Sequence, residues 1–338
     1  MTERASDIGE FGLIDRLMAR LGAPREGVVV GPGDDAAAVR LGGTTVLATT
    51  DLLLEGVHFD IGLSSPADVG WKALAASISD VAAMGGWPRF ALIALGAPHG
   101  TLVSTLEDLY DGIDQCARAF SVAIVGGDTV RAHRLIVSVA LVGEPGPAGV
   151  IMRGGARAGD VVCVTGSIGG AAAGLAILKA ASDDPEASRL LARYPNLPAA
   201  HRRPTPRVRE GIMAATGGAA AMIDISDGLA VDVAHICEAS HTGVRLRADA
   251  LPIADGIGEV AHWLGRDPSE LAAGGGDDYE LAIAIAQERV PALAAALAPM
   301  PLTMVGQMVD GPERILERED GTGTELAKLG WDHFEGNQ

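Results

Sequence analysis

The chain has 338 residues and a formal net charge of −18 at pH 7; apolar side chains fill 48% of its positions, while aromatic ones fill only 4%. This length is enough for two ordinary domains, each with a core built mainly from Ala, Val, Leu and Ile. The acidity argues against general nucleic-acid binding, because such proteins replace phosphate counterions with a basic surface.

The cysteines and the N-terminal sequence indicate in which cellular compartment the protein is located. Cys116, Cys163 and Cys237 lie far apart in apolar surroundings, which predicts buried thiols in a reducing cytoplasm rather than disulfides or a metal site. The N-terminus lacks the basic-then-apolar pattern of a signal peptide. Residues 161–180 are almost uncharged, but Thr165-Gly166-Ser167 favours a buried strand followed by a helix over a membrane span.

Strand-like and helix-like segments alternate along the chain, which predicts a mixed α/β fold. In the first half, the pattern predicts a helix that begins at Ser65-Pro66 and ends at Gly85-Gly86, and a second one at about 101–120. The strands predicted there are 28–30, 44–50, 91–95, 122–125 and 135–142. In the second half, helices are predicted near 169–181, 208–216 and 229–240, with strands at 161–164, 221–225, 244–247, 279–285 and 303–309.

Turn residues at 144–149 mark the best domain boundary, so the sequence predicts domains at 1–147 and 148–338. One basic segment, residues 201–207, stands out in the acidic chain and contains two prolines. It suits either an ordered connection or a surface-binding segment, and the sequence leaves both open.

Five glycine-flanked acidic groups lie at predicted strand ends, where open α/β sheets place their ligands. They are Asp34-Asp35, Asp51, Asp128, Asp224 with Asp227, and the group at 277–280. A single Asp-Gly pair is usually only a turn or a helix cap. Five such groups in one cleft, however, would repel one another unless hard cations were bound. The pattern therefore predicts magnesium ions that bridge carboxylate and phosphate oxygens.

Other phosphate-binding and catalytic devices are absent from the sequence. There is no P-loop, no protein-kinase motif set, no Gly-x-Gly-x-x-Gly fingerprint and no Gly-x-Ser-x-Gly elbow. Metal-assisted phosphoryl transfer is the chemistry that remains.

Taken together, these motifs resemble the thiamine-monophosphate kinase family, in the right order from Phe11 to Phe334. The resemblance rests on Gly31-Pro32-Gly33-Asp34-Asp35-Ala36, Thr49-Thr50-Asp51, residues 55–59, 72–75 and 79–85, Gly126-Gly127-Asp128-Thr129, and residues 153–160, 203–207, 223–229 and 330–334. It implies the fold of aminoimidazole ribonucleotide synthetase, with an N-terminal sheet that pairs across a homodimer and a C-terminal α/β domain. It also implies direct transfer of the γ-phosphoryl group of ATP to thiamine monophosphate.

The resemblance assigns roles residue by residue. The magnesium ligands would be Asp35, Thr49, Thr50, Asp51, Asp80, Asp128, Asp224 and Asp227. Of these, Asp51, Asp80 and Asp128 would be catalytic, with Asp51 and Asp80 closest to the transferred group. The ATP contacts would be Tyr110, Gly127, Asp128, Arg153 and Ser226, and the thiamine monophosphate contacts would be His58, Asp277 and Trp331. Without the resemblance, Asp80 would suit an exposed helix position, Tyr110 and Trp331 the core, and His58 a loop.

One position departs from the family, which usually has Glu where this chain has Asp277. The shorter side chain must reach its partner by a shifted backbone or through water. Two alternatives to the kinase reaction also remain at this stage. One is an enzyme of the same fold with another acceptor, and the other is a magnesium- and ATP-binding sensor that transfers nothing.

Overall fold

The computed structural model describes residue 4, residues 7–21 and residues 26–330. Within these residues the chain folds around two β-sheets, one in residues 28–145 and the other in residues 161–325. The predicted mixed α/β fold is therefore confirmed. The domain boundary at 147/148 lies between the two sheets and stays a prediction.

In the described part of the chain, the first sheet has six strands in the order β1-β2-β3-β6-β4-β5. Neighbouring strands are antiparallel, except that β4 and β5 are parallel. The strands are β1 (Val28–Val30), β2 (Ala37–Leu41), β3 (Thr44–Leu54), β4 (Gly86–Ala97), β5 (Ala123–Arg131) and β6 (Ile136–Pro145), and the helices are α1 (Gly9–Met18), α2 (Pro66–Ala83) and α3 (Val103–Phe120).

Helix α2 packs on one face of this sheet and is buried along most of its length. It begins as predicted, with Ser65 Oγ accepting a hydrogen bond from the backbone N–H of Asp68 at 3.2 Å. It crosses α3 at close backbone contacts made by Gly70 and Gly112, each of which faces the backbone of the other helix. A Cβ on Gly70 would lie 1.9 Å from the Leu109 carbonyl oxygen, so only glycine fits there.

The opposite face of the first sheet is apolar and exposed. Leu52 is 54% exposed, Phe90 50% and Leu92 45%. The edge strand β5 is exposed along its whole length. An apolar surface of this kind, next to an unpaired strand edge, is typical of a protein–protein interface.

The second sheet has seven strands in the described residues, in the order β13-β12-β9-β11-β7-β10-β8. All neighbours are antiparallel except β12 and β9. Its strands are β7 (Val161–Thr165), β8 (Ala221–Asp224), β9 (Gly243–Arg247), β10 (Leu281–Ile285), β11 (Leu302–Val309), β12 (Arg314–Glu317) and β13 (Gly323–Glu325). Its helices are α4 (Gly170–Ala180), α5 (Pro185–Arg193), α6 (Asn196–Arg202), α7 (Val208–Gly217), α8 (Leu229–Ser240), α9 (Ile257–Leu264), α10 (Pro268–Gly274) and α11 (Val290–Leu297). None of the helices described is long and apolar enough to cross a bilayer.

The basic segment 201–207 is an ordered connection between α6 and α7, and it contacts the first half of the chain. Arg202 Nε donates to the Leu63 carbonyl oxygen at 2.8 Å. Trp71 Nε1 donates to the Pro204 carbonyl oxygen at 2.8 Å, and the Arg203 guanidinium lies 5.5 Å from the centroid of the Trp71 ring. Of the two interpretations that the sequence left open, the structure shows the first.

The predicted long elements are confirmed, but several strands are longer than predicted, and β4 begins at Gly86 rather than at residue 91. β3 continues to Leu54 because it stays paired with β6, and β5 continues to Arg131 beside β4. The prediction that Asp51 and Asp128 follow strands is therefore wrong, since both lie within strands. The short elements that were missed are α1, α5, α6, α9, α10, α11, β2, β12 and β13.

Candidate active site

Three carboxylates meet between the two sheets, and we call them the carboxylate cluster: Asp35, Asp80 and Asp224. Each offers an oxygen, and these oxygens lie within 4.8 Å of one another. Asp35 lies in the loop after β1, Asp80 in the last turn of α2, and Asp224 at the end of β8. The first two belong to the first half of the chain and the third to the second half. The cluster therefore forms only where the halves meet.

The carboxylate cluster is crowded with negative charge. Burial raises the pKa of Asp35 to about 8 and that of Asp224 to about 6. Burial and the neighbouring charges of Asp51, Asp224 and Asp35 raise the pKa of Asp80 well above its usual range. Among the described residues, the buried Oδ2 atoms of Asp35 and Asp224 have no hydrogen-bond partner. Close, buried and unpartnered carboxylate oxygens are the ligands that Mg²⁺ prefers, so the residues fit that ion.

Arg153 is a cation at the edge of the carboxylate cluster. Its Nε donates to Asp35 Oδ1 at 3.0 Å, and its backbone N–H donates to Asp34 Oδ2 at 3.1 Å. Burial lowers the pKa of the guanidinium, but the ion pair with Asp35 outweighs this and keeps it charged. Asp34 was quoted in the motif but given no role by the sequence, and the structure shows that it orients Arg153 through the backbone.

Strand β3 sends alternate side chains to the carboxylate cluster. Thr49 Oγ1 donates to Asp80 Oδ2 at 2.5 Å, and Ser77 Oγ donates to Asp51 Oδ2 at 2.6 Å. Burial raises the pKa of Asp51. Because side chains alternate along a strand, Thr50 points to the opposite, exposed face. The structure therefore brings Thr49 and Asp51 to the cluster, but not the Thr50 side chain.

The turn between β8 and α8 places Ser226 and Asp227 shortly after Asp224, the last residue of the carboxylate cluster in the chain. Asp232, in the first turn of α8, holds this turn by accepting the backbone N–H groups of Ser226 at 3.1 Å, Asp227 at 3.3 Å and Gly228 at 3.1 Å. The sequence analysis missed Asp232. An acidic residue in the first turn of a predicted helix was the available signal.

The other predicted nucleotide contacts lie on exposed elements. Gly127 and Asp128 are exposed on β5, and Tyr110, on α3, is 39% exposed. A Cβ on Gly127 would lie 1.8 Å from the Ile93 carbonyl oxygen, so the strand backbones are in close contact there. Within the described residues, no hydrogen bond or ion pair joins Tyr110, Gly127 or Asp128 to the carboxylate cluster.

The predicted acceptor contacts His58 and Asp277 come together around a lysine that received no role from the sequence. Lys72 Nζ donates to Asp277 Oδ2 at 2.7 Å and to the His58 carbonyl oxygen at 3.3 Å. Burial raises the pKa of Asp277, but the charge of Lys72 and the nearby His201 outweigh this and hold it well below its usual range. Trp331, the third predicted contact, lies outside the described residues.

Comparisons with known proteins identify the family of this chain. Residues 33–144 match the N-terminal domain of AIR synthase related proteins, and residues 157–318 match their C-terminal domain. The fold and the site thus define a two-domain protein of the AIR synthase related class.

Individual relatives show to which family within this class the chain belongs. The thiamine-monophosphate kinase of Mycobacterium tuberculosis (strain H37Rv) is 36% identical over 97% of this chain and 92% of its own. That of Bacillus subtilis is 35% identical over 96% and 99% of the two chains. The structure of AaThiL complexed with AMPPCP and TMP matches with a TM-score of 0.83 at 33% identity, over 98% and 99% of the two chains. The chain belongs to the thiamine-monophosphate kinase family and is a kinase, which confirms the resemblance seen in its sequence.

Proposed function

We propose that this protein transfers the γ-phosphoryl group of ATP directly to thiamine monophosphate and so makes thiamine diphosphate, with magnesium ions at the carboxylate cluster. The observation that carries the proposal is the set of buried, unpartnered carboxylate oxygens between the two halves of a chain of this family. The related AaThiL structure contains AMPPCP, an analogue of ATP, together with TMP. These are the two kinds of ligand that the reaction requires.

The carboxylate cluster holds the metal in this proposal. The proposed ligands are Asp35, Asp80 and Asp224, with Thr49, Asp51 and Asp227 beside them and Thr50 and Asp128 on the exposed strand surfaces. Magnesium held by these residues would neutralise phosphate oxygens and so lower the repulsion between the donor and acceptor phosphates. Thr49 and Ser77 keep two of the acidic side chains oriented through their hydroxyl groups.

The remaining residues bind the two substrates. Arg153, Tyr110, Gly127, Asp128 and Ser226 are proposed for ATP, and His58, Asp277 and Trp331 for thiamine monophosphate. The permanently charged Arg153 suits a phosphate group. The acceptor phosphate is ionised near neutral pH, so the chain needs no strong general base and no covalent enzyme intermediate.

A transfer assay tests this function. Purified protein with ATP, Mg²⁺ and thiamine monophosphate is expected to form thiamine diphosphate, detected by chromatography, while unphosphorylated thiamine yields none. Asp51→Asn is expected to abolish turnover because it removes a carboxylate beside the carboxylate cluster. If wild-type protein binds ATP but forms no product, the acceptor is wrong, and an enzyme with another acceptor or a sensor replaces the proposal.

We also propose a homodimer formed through the apolar face of the first sheet. Leu92 is 45% exposed in the middle of that face, so Leu92→Arg would bury a charge in the interface. Light scattering is expected to give twice the chain mass of 34.5 kDa for the wild type and the single mass for the variant. Leu102→Arg is the control, because Leu102 is 69% exposed at the start of α3. A monomeric wild type would contradict the proposal.

A cytoplasmic location also belongs to the proposal. The three cysteines are free and buried, and burial raises the pKa of Cys116 and Cys163 to about 12. Such thiols are protonated and unpaired, as suits a reducing compartment.

A further inference from the structure

A buried ammonium group lies between the two halves of the chain, outside the carboxylate cluster. The side chain of Lys72, in the middle of α2, is only 4% exposed. A buried lysine is costly unless its charge is paired. Its two hydrogen bonds go to Asp277 Oδ2 and to the His58 carbonyl oxygen. Lys72 therefore joins the loop after β3 to the loop before β10.

These two partners are the described residues that the proposed function assigns to the acceptor. They lie more than 200 positions apart in the chain, and Lys72 contacts both. The Asp277 side chain is 32% exposed, whereas that of Lys72 is 4% exposed behind it. The carboxylate can therefore reach a ligand in the cleft, and the ammonium cannot.

The backbone conformation at Asp277 is unusual and is held by contacts with neighbouring residues. Asp277 and Tyr279 have φ values of 69° and 51°, in the left-handed region that non-glycine residues rarely adopt. Such a conformation persists only where neighbouring contacts enforce it. The Tyr279 hydroxyl donates to Asp277 Oδ1 at 3.2 Å, and the Asp277 backbone N–H donates to the Ser226 carbonyl oxygen at 2.8 Å. Lys72 Nζ donates to this carboxylate at 2.7 Å, and His201 Nδ1 lies farther away, 3.6 Å from the same Oδ2.

We propose that Lys72 is a positioning residue of the acceptor subsite: its ammonium group fixes the Asp277 carboxylate and the His58 backbone relative to each other, so that Asp277 can accept a hydrogen bond from an N–H group of the acceptor's heterocycle. This inference rests on the proposed function. Lys72 does not touch the substrate and takes no part in phosphoryl transfer. The residue thus determines how tightly the acceptor binds, and the carboxylate cluster determines how fast it reacts.

The test is a comparison of Michaelis constants for the two substrates. Lys72→Met keeps an unbranched apolar stem of similar length and removes the ammonium group. Its KM for thiamine monophosphate is expected to rise about tenfold or more, since a charge-assisted hydrogen bond is lost, while the KM for ATP and kcat change less than about threefold. Lys179→Met is the matched control, because Lys179 is exposed in the last turn of α4. Equal changes in both KM values, or a change in kcat alone, would overturn the positioning role.

A double-mutant comparison separates positioning from simple support of the fold. If Lys72 acts through Asp277, the double variant Lys72→Met/Asp277→Asn has the acceptor KM of Asp277→Asn alone, within about twofold. A further rise in the double variant overturns the inference. This comparison also serves if Lys72→Met alone fails to fold, since the double variant leaves no buried charge unpaired. If the wild type transfers no phosphoryl group to thiamine monophosphate, the proposed function is wrong. If the wild type is active but Lys72→Met has an unchanged KM for thiamine monophosphate, only the role of Lys72 is wrong.

Discussion

Replacement of Asp80 by asparagine is expected to lower kcat by ~10³-fold or more, because a carboxylate that holds the metal at the transferred phosphate is lost. The folded state is not expected to suffer. Burial and the charges of three other aspartates raise the pKa of Asp80, so a neutral side chain relieves repulsion in the metal-free protein. The variant is therefore expected to melt at or above the wild-type temperature without metal, and to gain less than the wild type when Mg²⁺ is added.

Steady-state kinetics and thermal melting, with and without Mg²⁺, check both halves of this prediction. Asp108→Asn on the exposed face of α3 is the control, and it should match the wild type in each measurement. A variant at Asp80 that keeps more than a tenth of the wild-type kcat would show that this residue is not a ligand of the reacting metal.

The largest loss of stability is expected from Arg207→Met. The Arg207 guanidinium makes a two-pronged ion pair with Glu280, whose side chain is 5% exposed and also accepts a hydrogen bond from Thr165 Oγ1 at 2.6 Å. Removal of one partner from a buried pair leaves an uncompensated charge and costs about 3–5 kcal/mol. For a domain of this size, the melting temperature should fall by roughly 10 °C.

A second substitution distinguishes this cause from a general loss of packing. Arg207→Met/Glu280→Gln should recover at least half of the lost melting temperature, because no charge is then left unpaired. Arg209→Met, two positions along the chain with a side chain 56% exposed, should change the free energy of unfolding by less than about 0.5 kcal/mol. If the melting temperature of Arg207→Met stays within about 2 °C of the wild-type value, the ion pair contributes nothing to stability.

The sequence predicts the long helices and strands and most of the acidic residues of the site, but it predicts the wrong position in the strands for some of them. Ligands were expected at strand ends, as in open parallel sheets. Both sheets are instead mostly antiparallel, and Asp51 reaches the carboxylate cluster from inside β3. The run Leu52-Leu53-Leu54 was a signal that the strand continues. The alternation of side chains along that strand also separates Thr50 from Thr49, although the motif groups them.

Other features depend on contacts that are distant in the chain. Asp80 would suit an exposed helix position if its periodicity were considered alone, yet α2 is enclosed by β3, α3 and α7. Nothing local to Lys72 indicates that it meets a loop more than 200 positions later. Some missed helices did carry local signals, since Asp184-Pro185 and Asp267-Pro268 are each an N-cap followed by proline at the first helical position.

The division of the carboxylate cluster between the two sheets has a consequence for synthesis on the ribosome. Asp35 and Asp80 emerge long before Arg153 and Asp224, and domains usually fold in the order in which they are made. A half-made chain can therefore complete its first sheet while its acidic cleft still lacks both the balancing cation and the third carboxylate. Such a nascent chain lacks two of the groups that complete the site, so we expect it to bind nucleotide and metal more weakly than the finished protein, in which the second sheet has docked.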